Sequence, residues 1–323
     1  MNLHSLLKWL LGALLVTPSL ACATFSIVAC DKDGTCGAAV ATNNLAVGAS
    51  VIYAQAHVGA LASQFETNLH YGPKGLALLS HGESPEQTIA ALLADDGNFD
   101  GDGIEARQVG IVDARGRSST YTGAEAMSSH WAGALRGEGY AVQGNGLSSD
   151  AVLKAMERAY LSSNGVLAER LMAALEAGQQ AGGQTIGRMS AAILVRTSEG
   201  DWQDIDLRAD GAPEPIHDLR RLVEQHFALQ AIIRAERFTK QGKKDDARMA
   251  IADALHRSYQ WDRIWLRVAR LSMQMGDADR TLDCLGVLMT INPVWAQQEL
   301  QDPLYEPLRT NSLFMSWKAE SMQ

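Results

Sequence analysis

The order of apolar and polar positions divides the chain into a strand-rich part and a helical part. Between Thr24 and about Asp210, short apolar runs of β-forming residues alternate with helical stretches. After Pro213-Glu214-Pro215 only the helical period remains. The pattern therefore predicts two regions, residues 24–212 and residues 213–323, in line with the roughly two domains expected of 323 residues.

Strands stand before and after a central set of helices in the first region. Small residues in the strands, as in Gly37-Ala38-Ala39, let sheets approach closely, so we expect an α+β fold with two sheets between helices. Ser84, Pro85 and Gln87 predict a helix start with a capping box. The predicted strands are 24–30, 36–42, 46–52, 57–63, 108–113, 118–122, 140–143, 188–196 and 204–208. The predicted helices are 73–81, 84–94, 149–160 and 166–177.

The first 23 residues have the pattern of an export signal. One positive charge precedes an apolar run, 9–16, that is too short to span a bilayer. Ala21-Cys22-Ala23 has the small-x-small pattern of a signal-peptidase site. We therefore expect cleavage after Ala23, a mature protein that begins at Thr24, and a periplasmic or secreted location. Acylation of Cys22 as a lipoprotein, or an uncleaved anchor, are the alternatives.

Export would place the cysteines in an oxidising compartment. Cys30 and Cys36 flank a turn-rich stretch between two apolar runs, and two cysteines that face each other across such a hairpin can form a disulfide. Hairpin geometry often holds facing residues out of register, so the spacing leaves this bridge open. Cys284 is expected to be a small buried apolar residue.

A mature N-terminus at Thr24 would put a nucleophile and a base on one residue. A threonine hydroxyl needs a base to take its proton, and a free α-amino group, which titrates near pH ~8, lies within reach of its own Oγ1. A strand held in a sheet would keep this hydroxyl in place. The alternative is that Thr24 is simply the residue at which the signal ends.

The helical region contains a repeat with a spacing of 34 residues. The matched pairs are Ala235 and Ala269, Gly242 and Gly276, Asp245 and Asp279, Ile251 and Leu285, and Trp261 and Trp295. This is the tetratricopeptide period, so the region resembles two degenerate repeats of that type; two helical hairpins of another kind are the alternative. Because a pair of repeats cannot bury its faces alone, we expect the region to dock on the first region or to bind a protein partner.

Composition and spacing exclude several classes of function. The net charge is −9 and no basic run occurs, so a nucleic-acid partner is not expected. No zinc spacing, phosphate loop or dinucleotide fingerprint is present, and no cofactor is expected. The acidic stretch 95–103 begins like a calcium loop, with Asp96 at its first position, but Arg107 stands at the twelfth position in place of a bidentate Glu. We expect a solvated acidic turn there and no metal.

Several blocks of the first region resemble the DUF1028 family. They occur in order from Thr24 to about His226. The blocks are 24–29, 37–41, 46–49, 57–64, Asn68 with 71–73, 107–113, 140–145, 177–183 and 187–192. The resemblance implies a fold like that of the N-terminal-nucleophile hydrolases, a four-layer αββα sandwich, in a family whose own function is uncharacterised. Many members of the family begin with Met-Thr, where removal of the Met would expose the same threonine.

The chemistry of Thr24 and the resemblance together indicate a site. Thr24 is the expected nucleophile in hydrolysis of an amide bond, and its amine is the expected base, with a small or peptide-like molecule as the substrate. Asn145 is expected to stabilise the oxyanion through its side-chain N–H; turn formation beside Gly144 is the alternative role. The other polar residues expected to line the pocket are Asn43, Gln64, Asn68, Gln143 and Arg188.

The chain departs from related sequences in its basic residues. Proteasome-like relatives place a lysine near the nucleophile, but residues 33–73 contain neither Lys nor Arg. Thr42-Asn43 stands where the family often carries Ser-Lys. His57 is expected to lie on an edge strand and not to act in catalysis. A non-catalytic binding or assembly protein with the same fold is therefore the second hypothesis. Double-sheet domains of this type often pair, so a homo-oligomer stays open.

Overall fold

The computed structural model describes residues 23–320, except for the side chains of Trp202 and Glu320. The predicted export signal and the alternative acylation of Cys22 lie outside these residues. Among the helices within the described range, none combines the length and the apolar character needed to cross a membrane.

Ten strands within this range form two antiparallel sheets. The strands are β1 (Thr24–Cys30), β2 (Cys36–Thr42), β3 (Ile52–Gln55), β4 (Gly59–Phe65), β5 (Arg107–Asp113), β6 (Ser118–Thr122), β7 (Gly133–Gly137), β8 (Tyr140–Asn145), β9 (Ser190–Arg196) and β10 (Ile205–Ala209). The larger sheet has the order β10-β9-β2-β1-β8-β7, and the smaller sheet has the order β3-β4-β5-β6. The prediction of an α+β region with two sheets is confirmed at that level, and all strand pairs in these sheets are antiparallel.

Helices cover the sheets and form the rest of the chain. They are α1 (Tyr71–Ser80), α2 (Pro85–Ala94), α3 (Ala124–Met127), α4 (Ala151–Ser162), α5 (Leu167–Gln180), α6 (Pro215–Lys240), α7 (Lys244–Arg257), α8 (Asp262–Gln274), α9 (Ala278–Ile291), α10 (Pro293–Glu299) and α11 (Ser312–Glu320). The predicted capping box is present at α2, where the Ser84 side chain accepts from the N–H of Gln87.

The alternation of residues along β1 gives the larger sheet two different faces. Phe25 and Ile27 point to one face and pack against α4 and α5, through residues such as Met156 and Leu171. Val28 and its neighbours on β2 point to the other face, where small residues such as Ala62 of β4 meet them. The smaller sheet packs its far face against α1 and α2. The two sheets therefore face each other, and even-numbered residues of β1 lie between them.

Cys30 and Cys36 are opposite each other in the register of β1 and β2. They are joined by a disulfide, with a Cα–Cα distance of 4.1 Å. This bond closes the hairpin at the end of β1 that is farthest from Thr24. Cys284 is a free, buried cysteine.

Two predictions about local structure are wrong, and one strand was not predicted. The expected strand 46–52 is a turn that leads through a short 3-10 helix into β3, because Ala46 adopts a left-handed φ of 54°. His57 does not lie on an edge strand; it has a φ of 60° and occupies the turn between β3 and β4. Strand β7 was not predicted, since its residues are half-exposed and rich in glycine. In each case the local conformation, a turn or an edge strand, depends on contacts with residues that are distant in sequence.

Helix α6 contributes to two hydrophobic cores, one under the larger sheet and one among the helices that follow. Leu219 and Val223, in its first half, pack into the core under the larger sheet. Ile232 and Ala235, in its second half, pack with the helices that follow. The predicted boundary at residue 213 thus falls just before a helix that continues without interruption from one core into the other. Ion pairs add to this connection, since Arg257 of α7 contacts Glu169 of α5 at 3.1 Å.

A buried ion pair organises the acidic turn before β5. The guanidinium of Arg107 donates to both carboxylate oxygens of Asp96, at 3.0 and 3.2 Å, and both side chains are almost fully buried. It also donates to the carbonyls of Glu66, Phe99 and Asp102. Arg107 stands at the sequence position where a calcium loop has its bidentate ligand, and its positive charge binds the turn in place of a cation. The expectation of a fully solvated turn is wrong for Asp96.

Further hydrogen bonds hold the Asp96 carboxylate. The Asn68 Nδ2 donates to it at 3.0 Å and the Tyr71 hydroxyl at 2.6 Å. Burial acts to raise the pKa of Asp96, but the hydrogen bonds from Arg107, Tyr71 and Asn68 outweigh it and lower the pKa to about 2. Within the described residues, no group of three or more His, Cys, Asp or Glu could hold a metal.

We expect Asp96→Asn to lower the free energy of unfolding by about 3 kcal/mol, because it leaves the buried Arg107 charge without its partner. The folded-state pKa of Asp96 lies below its ordinary value. The ion pair therefore stabilises the protein above about pH 4 and loses this effect as the pH falls toward about 2. Urea denaturation at a series of pH values measures both effects.

The control is Asp150→Asn, which removes an exposed ion pair to Lys154 and should change the stability little. If Asp96→Asn unfolds at the same urea concentration as the parent protein near pH 7, the ion pair does not stabilise the turn.

Candidate active site

Thr24 is the first residue of β1, one of the two central strands of the larger sheet. In the register of the sheet it lies between Thr42 on β2 and Asn145 on β8. Its side chain is on the face that meets the smaller sheet, and the residue is only 4% exposed. A strand bonded on both sides holds the Thr24 backbone in place, so its hydroxyl has a defined position.

The Thr24 hydroxyl has a hydroxyl neighbour. Its Oγ1 is 3.1 Å from Oγ1 of Thr42, and Thr42 Oγ1 donates to the carbonyl oxygen of Ala23 at 2.7 Å. A hydroxyl has one hydrogen, and Thr42 uses its hydrogen on Ala23. Thr24 is therefore the donor in the Thr24–Thr42 contact.

Ala23 is buried beside this pair of threonines. It is 1% exposed, and its side chain lies against Gly146, where an added Cβ would come within 2.6 Å of the Ala23 Cβ. Gly146 has a φ of +59°, which favours glycine. In a chain that contains Ala23, this residue thus fills the space next to Thr24, and its carbonyl oxygen accepts the hydrogen bond of the Thr42 hydroxyl.

Buried amide side chains form a polar layer between the two sheets at Thr24. Ser26 donates to Gln64 Oε1 at 2.6 Å, and Gln64 Nε2 contacts both the Thr24 carbonyl, at 3.3 Å, and Gln108 Oε1, at 2.8 Å. Asn145 Nδ2 donates to the same Gln108 oxygen at 2.9 Å. The layer therefore connects β1, β4, β5 and β8 through side chains that are shielded from water.

Gln108 fixes the orientation of this layer. Its Nε2 donates to the carbonyl oxygen of Gly144 at 2.9 Å, so its Oε1 faces the opposite way, toward Gln64 and Asn145. A carbonyl oxygen accepts and cannot donate, which rules out the reversed amide. Asn145 must then present Nδ2 to Gln108. Its Oδ1 is buried and has no hydrogen-bond partner in the described part of the chain, and the same is true of Oε1 of Gln143.

A small cavity of about 50 Å³ adjoins Thr24. Its lining residues are Thr24, Thr42, Asn44, Leu45, Val47, Ser50, Val51, Gln64, Phe65 and Thr67. None of them is ionisable, so the hydroxyl faces an uncharged environment. The cavity is far smaller than the ~300–1,000 Å³ of common ligand pockets. A larger cavity of about 640 Å³ lies at the other end of β1, near Cys30, and Thr24 does not line it.

Two residues beside the cavity have unusual backbone conformations. Ala46, between the lining residues Leu45 and Val47, has a φ of 54°, and Phe65 at the end of β4 has a φ of 70°. Such conformations cost about 1–3 kcal/mol in residues other than glycine and cluster at functional sites. Hydrogen bonds hold the Ala46 loop, since Ala46 N–H donates to the Asp210 carbonyl at 3.0 Å.

The structure brings together four of the residues that the sequence indicated. Thr24, Gln64, Gln143 and Asn145 all lie in the polar layer. Asn43 and Arg188 are not among the residues that line the cavity. Asn43 Nδ2 donates to the carbonyl of Ile186 at 3.0 Å, and the guanidinium of Arg188 pairs with Glu214. Asn68 lies elsewhere, bound to Asp96. A substrate role for Asn68 is therefore not proposed.

Sequence reasoning missed three members of the site, Ser26, Thr42 and Gln108. Each is a polar residue that is 0–1% exposed within a strand whose residues are all buried. The sequence shows only that these polar residues stand within β-forming runs, and a polar side chain that a sheet buries needs a partner. Which strand supplies that partner could not be predicted, since the bonds join residues 18 to 44 positions apart.

Comparisons with known proteins concern the strand-rich part of the chain. The profile of the family described as "Family of unknown function (DUF1028)" matches residues 24–219. The chain is also similar to the crystal structure of a protein from Silicibacter pomeroyi with the same family assignment. The TM-score is 0.56 and the identity 32%, over 63% of this chain and 85% of that chain. No curated protein matches the chain.

We expect Gly146→Ala to destabilise a chain that begins at Ala23 more than a chain that begins at Thr24. The new methyl group collides with Ala23 only where Ala23 is present. The left-handed φ costs about 1–2 kcal/mol in both forms, and the overlap adds about 1–3 kcal/mol in the longer form. Urea denaturation of the two forms gives the difference.

Gly242→Ala is the matched control. Gly242 has a φ of +73° and open space around it, so its substitution should cost the same in both forms. An equal loss of stability for Gly146→Ala in the two forms would show that Ala23 does not occupy this space.

Proposed function

This chain belongs to the DUF1028 family, and from the geometry around Thr24 we propose that it is an exported amidohydrolase. In this proposal a signal peptide is removed after Ala23, and the freed Thr24 is the nucleophile. The facing sheets with helices on their outer sides support a four-layer αββα sandwich of the N-terminal-nucleophile hydrolase type. The observation that carries the proposal is the buried Thr24 hydroxyl, which a strand bonded on both sides holds against a small uncharged cavity.

The base would be the α-amino group of Thr24 itself. None of the residues that line the cavity is charged, and burial in such surroundings favours the neutral form of an amine. A neutral amine is the form that can accept the hydroxyl proton. An amine tuned by desolvation would therefore not need the lysine that proteasome-like relatives place near their nucleophile.

The proposed reaction splits an amide bond in two steps. Thr24 Oγ1 attacks the carbonyl carbon while its proton passes to the α-amine, directly or through a water, and the amine then protonates the leaving nitrogen. The acyl group stays on Oγ1 as an ester. Water then adds to this ester, again with the amine as base, and releases a carboxylic acid and free Thr24.

Two side chains are candidates for stabilising the oxyanion. Thr42 donates to the Ala23 carbonyl in the present chain, so removal of Ala23 frees its hydroxyl for a developing negative charge. Asn145 Nδ2 keeps one hydrogen after its bond to Gln108. Backbone N–H groups would add to these donors. The space vacated by Ala23 would enlarge the cavity, which suits a small or peptide-like substrate.

The helical region supports a second role as a partner-binding module. The paired positions of the 34-residue repeat have equivalent places in the structure. Ala235 and Ala269 are both fully buried, and Gly242 and Gly276 both have left-handed φ values, 73° and 80°, in the turns that follow their helices. We infer from this equivalence that α6 to α9 are two tetratricopeptide-like hairpins. A non-catalytic binding protein would keep this module and lack chemistry at Thr24.

We expect Thr24→Ala to abolish labelling of the mature protein by an acylating probe directed at N-terminal threonine, since the nucleophilic oxygen is lost. Thr24→Ser should retain labelling. A form that begins at Ala23 should not be labelled, because its Thr24 nitrogen is an amide and is not a base. Mass spectrometry of the labelled peptide measures all three.

Thr290→Ala, at an exposed position on α9, is the control and should label like the parent protein. If Thr24→Ala is labelled or hydrolyses an amide as well as the parent protein does, Thr24 is not the nucleophile. Such a result would favour the hypothesis of a non-catalytic binding protein. The melting temperature of Thr24→Ala should stay close to that of the parent, because the change removes only a hydroxyl and a methyl group at one end of β1.

A further inference from the structure

Asn145 carries a buried oxygen for which residues 23–320 provide no hydrogen-bond partner. The residue is 0% exposed, and its Oδ1 has no hydrogen-bond partner among the described residues. A buried acceptor that loses its bonds to water without replacing them costs about 1–3 kcal/mol. Such an atom is therefore a sign of a missing donor.

The orientation of the Asn145 amide is determined by its neighbours. Gln108 Nε2 is committed to the Gly144 carbonyl, so Gln108 offers an oxygen to Asn145 and Asn145 must offer Nδ2. The unpartnered atom is thus an acceptor. It requires an N–H or O–H group that residues 23–320, as the structure describes them, do not supply.

The missing donor has a natural source at Thr24. Asn145 is the register partner of Thr24 on β8. In a chain that contains Ala23 the Thr24 nitrogen carries one hydrogen; once Ala23 is removed, the same nitrogen carries two hydrogens as an amine or three as an ammonium. Cleavage therefore creates new buried donors beside the residue with the unpartnered acceptor, and those donors need partners of their own.

Resting on the proposed role of Thr24, we propose that Asn145 positions the α-amino group of the mature N-terminus by accepting one of its N–H bonds on Oδ1. The side chain then links Gln108, through Nδ2, to the amine, through Oδ1. This makes Asn145 a positioning residue for the base. It also connects the polar layer between the sheets to the orientation of the amine toward Oγ1.

The surroundings of the amine are otherwise neutral. The side chains of the layer that come from the neighbouring strands are Ser26 of β1, Thr42 of β2, Gln64 of β4, Gln108 of β5 and Gln143 of β8. None of them titrates in the neutral range. A change in the pKa of the amine on substitution of Asn145 would therefore come from the lost or altered contact, and no second titrating neighbour in the layer would obscure it.

The test is an NMR titration of the mature protein labelled with ¹³C-threonine. The Thr24 resonance is identified by its absence in Thr24→Ala, and its pH dependence reports the pKa of the amine. We expect Asn145→Leu to lower this pKa by about 1–2 units, because one hydrogen bond to the charged form is lost. We expect Asn145→Asp to raise it by about 1–3 units, because a carboxylate replaces the amide oxygen.

Gln143→Leu is the matched control. It also removes a buried amide with an unpartnered oxygen, but one that faces Ser26 in the register and not Thr24, so the pKa of the amine should stay at the parent value. Thermal melts establish that each variant is folded. If Asn145→Leu does not fold, the titration of Asn145→Asp by itself tests whether Asn145 positions the amine.

The proposal and the proposed function fail in different ways. An amine pKa that is unchanged in both Asn145 variants overturns the positioning role, even if Thr24 is still acylated. A shifted pKa in a protein whose Thr24 is never acylated supports the positioning role and excludes catalysis. If Asn145→Leu slows acylation at every pH and leaves the pKa unchanged, Asn145 serves only the oxyanion.

Discussion

The structure depends on how amide groups are paired where two sheets meet without water between them. Gln108 uses both ends of its side chain, on Gly144 at one end and on Gln64 and Asn145 at the other. A slip of one residue in any of these strands would turn a polar side chain toward the apolar face and leave its partners unpaired. The layer therefore fixes the register of four strands, and this register determines the place of Thr24.

The molecule buries polar groups in two different ways. At the acidic turn, Arg107 and Asp96 form a charged pair whose stability depends on complete hydrogen bonding. Between the sheets, the polar groups are neutral, and the residues beside Thr24 carry no charge. Beside such a neutral layer, the pKa of an amine depends on desolvation and on single hydrogen bonds. This is the physical basis for assigning the proton transfer to Thr24 itself.

The helical region is part of the same packed structure. Helix α6 contributes Leu219 to the core under the larger sheet and Ile232 to the core of the helices that follow. Arg257 and Arg220 add ion pairs to α5, with Arg220 bound to Glu176 at 2.7 Å. A partner that binds the helices would therefore act on a region joined to the larger sheet by one continuous helix. The cavity beside Thr24 lies on the opposite face of that sheet from α5.

The sequence by itself determined the elements whose cause is local. The alternation of Thr24–Cys30 predicts a strand, the Ser84 capping box predicts a helix start, and the 34-residue spacing predicts a pair of helical hairpins. It also drew attention to Thr24, Gln64 and Asn145. The sequence did not identify Gln108 as the centre of the site, because its bonds join strands that are far apart in the chain. Only the tertiary structure decided which polar side chains meet, since burial leaves each of them dependent on a partner that folding alone brings near.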